Sequence, residues 1–242
     1  MINKNSPIPI YYQLEELIRN NIENGIFREG DLVPSERTLS EEYGISRMTI
    51  RQALTNLVKE GLLVREKGKG TFVAKKKLEQ PLMNLTSFSE DMKGRGLEPS
   101  TILIGFEEVQ LSATECKELN IDVKSISYRV KRLRLADGIP MAYEELVSPK
   151  SLLGEVNETM FLQKSFYNHI EEKLKLRIDS AKQTLEPAIS NEIESNLLHI
   201  KIGSPVLLMR RIGFLADGTP FELVKSVYRG DRYKFITEMK RS

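Results

Sequence analysis

One cysteine, Cys116, is all that the 242 residues contain. It excludes an internal disulfide and any zinc site built from several thiolates. Histidine is nearly as scarce, with only His169 and His199. Neither has a serine or cysteine partner at the spacing of a nucleophilic motif. No metal-ligand cluster, P-loop or G-x-G-x-x-G fingerprint occurs. Cys116, in E-C-K-E-L, reads as a packed helical residue, and His169 as a surface or capping histidine. No metal and no cofactor is expected. Long apolar runs are missing as well. Nothing approaches the roughly 18 residues of a membrane span, and MINKNSPIPIYY lacks a charged start followed by an apolar run. The expectation is a soluble, cytoplasmic protein. Apolar residues make up 40%, enough for real cores, and the length suggests two domains or one large one.

Net charge is only +2, but it is unevenly placed. Residues 1–45 carry four Lys/Arg against eight Asp/Glu, whereas residues 46–77 carry nine against two. A basic block inside a near-neutral chain is the footprint of a polyanion-binding face, or of a solvated basic surface. The pattern within the block decides between them.

Pro7 and Pro9 flank a helix start. Leu14, Leu17, Ile18 and Ile22 keep helical spacing, and Gly25 ends the run. Ser35 caps a second, short helix with Leu39 and Tyr43 on its buried side, and Gly44 stops it. Ser46 then caps a third helix whose stripe is Ile50, Leu54, Leu57 and Val58, ended by Gly61. Two short helices across a tight glycine turn make a helix-turn-helix. Arg47, Thr49, Arg51 and Gln52 lie off the buried stripe in the first turns of the third helix, where a recognition helix meets base edges. Arginine pairs with guanine and glutamine with adenine in the major groove. The hairpin Leu62–Arg65 and Thr71–Val73, tipped by Gly68-Lys69-Gly70, reads as a wing that approaches DNA closely.

P-S-E-R-T-L-S-E-E-Y-G-I-S-R-M-T-I-R-Q-A-L-T-N-L-V-K-E-G-L-L, followed by G-K-G-T-F-V, resembles the winged helix-turn-helix of GntR-family transcription regulators. The resemblance implies Arg37, Arg47 and Arg51 as the principal DNA readers. Ser35, Ser46, Thr49 and Gln52 would assist, and Gly68, Lys69 and Gly70 would serve in the wing.

Residues 1–74 thus read as the DNA-binding domain, 75–84 as a charged linker without periodicity, and 85–242 as a second domain. Strands are expected at 125–135, 141–147, 206–215 and 221–227, and helices at 88–93, 112–119, 166–174 and 190–199. Together they make an antiparallel α+β domain. Two hairpins share L-A-D-G: R-L-R-L-A-D-G-I-P-M-A-Y-E and R-I-G-F-L-A-D-G-T-P-F-E. A three-residue Ala-Asp-Gly loop in the first would place Val130 opposite Glu144 and set Arg132, Arg134 and Glu144 on one face. A two-residue loop would send Glu144 to the other face. In the second, Glu222 would oppose Ile212 and share a side with Val224 and Tyr228. Charges on an apolar face need partners, either each other or a ligand. Serines at helix starts near Ser87 and Ser165 are ready anion sites.

Residues 80–235 resemble the UTRA effector domain of the HutC branch, with its chorismate-lyase-like fold. L-T-S-F-S-E-D-M, the R-L-R-L hairpin, S-F-Y-N-H-I-E, A-K-Q-T-L-E-P and K-S-V-Y-R-G-D-R-Y resemble NagR-type repressors of N-acetylglucosamine use. The resemblance implies a homodimer on a palindromic operator, released by glucosamine 6-phosphate or N-acetylglucosamine 6-phosphate. Phe88, Ser89, Arg132, Leu133, Arg134, Ser165, Phe166 and Tyr167 would surround the phosphate and nearby hydroxyls. Glu144, Glu222 and Tyr228 would hold the sugar. Another sugar phosphate or a carboxylate is the alternative effector, and a lyase-like enzyme is the alternative class.

Overall fold

The computed structural model describes residues 2–75, 77–82, 85–163 and 166–239. The chain forms two compact units, Met1–Lys76 and Lys77–Ser242.

In the first unit, helix α1 (Ile10–Glu23) begins directly after Pro9 and buries Leu14 and Ile18. Its Glu15 is also buried, and its carboxylate accepts a hydrogen bond from Asn56 at 2.7 Å. Ser35 caps α2 (Glu36–Tyr43) by accepting from the Thr38 amide, and Gly44 ends it in the left-handed region at φ 61°. Ser46 caps α3 (Arg47–Lys59) in the same way through the Thr49 amide. Ile50, Ala53, Leu54 and Leu57 of α3 pack with Leu14, Ile18 and Leu39 in one core. Strand β1 (Leu32–Val33) lies beside β3 (Gly70–Val73), which pairs on its other edge with β2 (Leu63–Glu66). Two residues are too few to show alternation, so β1 left no mark in the sequence. Gly70 is a strand residue rather than part of the loop. It sits at φ 133°, and a Cβ there would lie 2.7 Å from Leu32 Cδ1.

The second unit is built on a six-stranded antiparallel sheet in the order β5-β6-β7-β10-β9-β8. These are β5 (Pro99–Gln110), β6 (Ile126–Ala136), β7 (Ile139–Pro149), β8 (Ile178–Ile189), β9 (Pro205–Leu215) and β10 (Pro220–Arg229). The four inner strands are the expected ones. The edges β5 and β8 were not expected, because edge strands carry polar residues, glycine and proline (Gly105 and Pro187 here) that hide their period. One face is covered by α5 (Ala113–Leu119), over Val147 and Leu223, and by α9 (Glu192–Leu198), over Leu133 and Val227. The other carries the largest core, where Tyr128, Val130, Leu146, Met209 and Val224 meet Leu153 of α6 (Lys150–Leu153) and Phe161 of α7 (Glu158–Gln163). The helix expected over 166–174 is only α8 (Phe166–Asn168), continued by a π-helical turn at His169–Lys173. Such turns are rare and concentrate at functional sites. The helix expected over 190–199 is shorter, because Asn191 caps its start and His199 ends it in the left-handed region. Helix α4 (Phe88–Gly94), capped by Ser87, precedes β5, and Cys116 is buried in α5's core. Residues 78–81, read as linker, form β4 (Leu78–Pro81), which pairs in parallel with β11 (Tyr233–Ile236).

Both repeated hairpins carry a bulge directly after D-G-x-P. In the first, Asp137 and Gly138 form a two-residue loop with φ 49° and 72°, the type I′ geometry. That loop alone would send Glu144 to the wrong face. The register shifts between Arg134 and Leu135, leaving Met141 as an extra residue, and Arg132 then pairs directly with Glu144. The expected shared face is therefore real, but it comes from a bulge and not from a three-residue loop. In the second hairpin, Gly218 donates to Leu215 O and Leu215 to Thr219 O, which closes a three-residue Ala-Asp-Gly loop. The bulge at Phe221 then sets Glu222 opposite Gly213 instead of Ile212. Gly213 is needed for this geometry, since a Cβ would lie 2.6 Å from the Phe221 ring and 2.9 Å from Glu222 Cγ. Gly213→Ala should cost about 1–3 kcal/mol in denaturant unfolding of the chain. An unchanged midpoint would contradict the crowding.

Candidate functional site

Two faces carry the candidate residues. On the first unit, Arg37, Arg47, Arg51 and Gln52 are all exposed. Arg37 pairs with Glu41 at 2.8 Å, and Arg51 grips Glu36 with contacts of 2.9 and 3.0 Å. Arg47 has no ion pair among the described residues. Lys69, at the wing tip, pairs with Glu66 at 3.0 Å. Exposed pairs of this kind contribute little, so phosphates and bases can displace the carboxylates. Ser35 and Ser46 are committed to capping, and the Thr49 hydroxyl lies 2.8 Å from that of Ser46. Met48, between Arg47 and Thr49, is 69% exposed. An apolar side chain displayed on a recognition helix suits a thymine methyl, and its place off the buried stripe was the signal available.

In the second unit, alternation and pairing bring Arg132, Arg134, Glu144, Glu222 and Tyr228 to one face of the sheet. With Ser87, Phe166, Tyr167 and Arg211 they line a cavity of about 40 Å³. Arg132 is ion-paired through Nη2 with Glu144 Oε1, both buried. Arg134 donates to Ser89 Oγ at 3.0 Å, and its guanidinium lies 4.8 Å from the centre of the Phe88 ring. The Nε atoms of Arg132 and Arg134 are buried and have no hydrogen-bond partner among the described residues. Tyr167 Oη donates to Glu222 Oε1 at 2.7 Å. Two buried cations with unused donors beside two carboxylates have the chemistry to receive a small polar anion.

Comparison with known proteins fits both faces. Residues 10–73 match the family of bacterial regulatory proteins called gntR, and residues 94–234 match the UTRA domain. The chain is 50% identical over 240 residues to the HTH-type transcriptional repressor NagR of Bacillus subtilis, covering 99% of this chain and 98% of that protein. The chain belongs to the GntR family. It is also 34% identical to the mannosyl-D-glycerate transport/metabolism system repressor MngR of Escherichia coli, over 96% of this chain and 97% of that one. Among solved structures, PhnF from Mycobacterium smegmatis superposes with a TM-score of 0.64 at 25% identity, covering 97% of this chain and 100% of that one. These relatives are regulators, and the chain is a DNA-binding transcription regulator and not an enzyme. No helix among its described residues is long and apolar enough to cross a membrane.

Within this UTRA domain the residues are poised by opposing forces. Burial works to raise Glu144, but Arg132, Arg134 and Arg211 outweigh it and hold its carboxyl below the usual range. Burial likewise pulls Arg134, with Arg132 beside it, down to about 10, which leaves it charged at neutral pH. Glu222 is different. Burial pushes it up to about 7, against the Tyr167 hydrogen bond and Arg211. Tyr228, packed edge-on against Tyr233 at 4.7 Å between ring centres, is pushed up to about 12 by burial and stays a neutral donor.

Not every expected residue reaches the cavity. The side chain of Leu133 points to the opposite face and packs with Leu198 and Val227, since it alternates with its arginine neighbours. Only its backbone can serve the site. Phe88 is a platform beneath Arg134, and Phe166 lines the cavity as part of the aromatic core. Tyr167, expected on the phosphate side, is held at Glu222. Ser165 lies outside the described residues. Arg211 was missed: it opens the second repeat as R-I-G, and its side chain also faces the cavity.

Proposed function

We propose that this GntR-family regulator is a repressor of genes for amino-sugar uptake and catabolism, and that glucosamine 6-phosphate or N-acetylglucosamine 6-phosphate releases it from its operator. The observation that carries this reading is the pair of buried arginines whose Nε donors have no partner among the described residues, beside two carboxylates on the same apolar face. In this reading Arg132, Arg134, Ser89 and Ser165 take the phosphate, and Glu144, Glu222 and Tyr228 take the sugar. The chain works as a cytoplasmic homodimer on a palindromic site, with residues 1–74 as the DNA head, the stretch 75–84 as the joint, whose β4 (Leu78–Pro81) pairs with the sensor's β11, and 85–242 as the sensor. A cavity of about 40 Å³ holds water rather than a hexose phosphate, so the site must widen to admit the effector. Arg132 must also exchange Glu144 for phosphate. The effector can shift DNA binding only by binding one arrangement more tightly than the other.

Titrating the chain on its operator, selected from random duplexes, tests this. Saturating glucosamine 6-phosphate should weaken binding, and equal affinity with and without it refutes the reading. Arg47→Ala should cost about 1–3 kcal/mol of operator binding and relax one base preference. Unchanged affinity for both operator and random DNA would remove Arg47 from the readers.

A further inference from the structure

The second hairpin brings an arginine to the site as well as a carboxylate. Arg211 pairs across the sheet with Val224, two residues beyond Glu222 on the same strand, so its side chain shares the cavity face. Its Nε donates to Gln183 Oε1 on β8 at 3.1 Å, and its Nη1 donates to Tyr167 Oη at 3.2 Å. A guanidinium has no acceptor. The Tyr167 hydroxyl therefore accepts from Arg211 and must spend its single proton elsewhere, and Glu222 Oε1 receives it at 2.7 Å. The chain of donors runs one way, from Arg211 on β9 through Tyr167 on α8 to Glu222 on β10, while Gln183 on β8 accepts from Arg211 and anchors it.

We infer that Arg211 is a positioning residue of the effector site: it fixes the Tyr167 hydroxyl as a donor to Glu222 and leaves the second Glu222 oxygen as an acceptor for a hydroxyl or amine of the sugar. The inference rests on the sugar-phosphate reading above. It gives each repeat an arginine coupled to a carboxylate, with different couplings. Arg132 meets Glu144 directly, while Arg211 reaches Glu222 through Tyr167. The first pair opens to take phosphate. The second stays in place and orients the acceptor.

Calorimetric titration of the full chain with glucosamine 6-phosphate, and separately with inorganic phosphate, tests the assignment. Arg211→Gln and Tyr167→Phe should each weaken glucosamine 6-phosphate tenfold or more while phosphate affinity changes by less than twofold. The double substitution should be no weaker than either single one, because both act through one hydrogen-bond chain. Arg211→Lys, which keeps a donor and the charge, should restore most of the affinity and also serves if Arg211→Gln does not fold. Equal losses for the two ligands, or additive losses in the double variant, would overturn the assignment. Full sugar-phosphate affinity in Arg211→Gln would overturn it alone. No sugar-phosphate binding by the unsubstituted chain would overturn the effector reading and this inference with it.

Discussion

Arg132→Ala is expected to abolish the response to glucosamine 6-phosphate, with effector affinity falling at least about 100-fold, and to weaken the second unit as well. The first effect follows, in the proposed reading, from losing the buried cation that would take the phosphate, since each hydrogen bond to a charged group contributes roughly 1.5–3 kcal/mol. The second follows from Glu144. With Arg132 gone, that carboxylate stays buried with its ion-pair partner removed, a situation that costs about 3–5 kcal/mol. A lost response from this variant alone would therefore be ambiguous. Arg132→Met combined with Glu144→Gln removes both charges and should recover most of the stability while leaving the response absent. Calorimetric unfolding and operator titration on the same two proteins separate the effects. If the double variant regains the response along with its stability, the phosphate assignment of Arg132 is wrong.

The same pair marks what the sequence could and could not reveal. That Arg132, Arg134 and Glu144 share a face was legible, because strand alternation is rigid and the repeat fixed the strand ends. The route was not. The loop has two residues rather than three, and only the extra residue at Met141 restores the parity. A bulge depends on how two strands twist against their neighbours, which neither strand encodes alone. Both bulges follow the shared proline, a regularity that becomes visible once the pairings are known. Leu133 shows the converse: alternation alone already puts its side chain on the other face, where it packs with Leu198 and Val227. The edge strands β5 and β8 stayed hidden because one long edge of each is free and much of their surface meets water. The helix-turn-helix was read nearly residue by residue, since caps and glycine stops are local chemistry. Arg211 required the structure, because its partners Gln183 and Tyr167 lie 28 and 44 residues away.

Glu222 supplies the other large expected effect, through pH. An unfolded glutamate titrates near 4.5, and burial raises the folded group to about 7. Between these values the folded chain holds a proton that the unfolded chain has released, so stability falls as pH rises through this window. By about pH 8 the loss is complete and amounts to about 3 kcal/mol. Other groups bear on the same curve, and the lowered carboxyls of Glu115, Asp217 and Asp231 act, like Glu144, only at more acid pH. Glu144 is held below its ordinary value, so its contribution changes only at more acid pH. His169 is lowered by burial and by Lys173, so it works in the opposite sense, with stability gained as pH rises toward the ordinary histidine value. The informative quantity is thus the difference between the unsubstituted chain and Glu222→Gln. Glutamine still accepts from Tyr167 and carries no buried charge. The variant should match the parent at pH 5 and exceed it by about 2–3 kcal/mol at pH 8. Its sugar-phosphate affinity should rise less than the parent's between pH 6 and 8, the range in which the parent's carboxyl becomes a full acceptor; the remaining rise comes from the phosphate's own second ionisation at about pH 6. A stability difference that does not change with pH would mean that Glu222 is already ionised at pH 5. The carboxylate would then stand ready for the sugar at every physiological pH, with Arg211 outweighing the cost of burial.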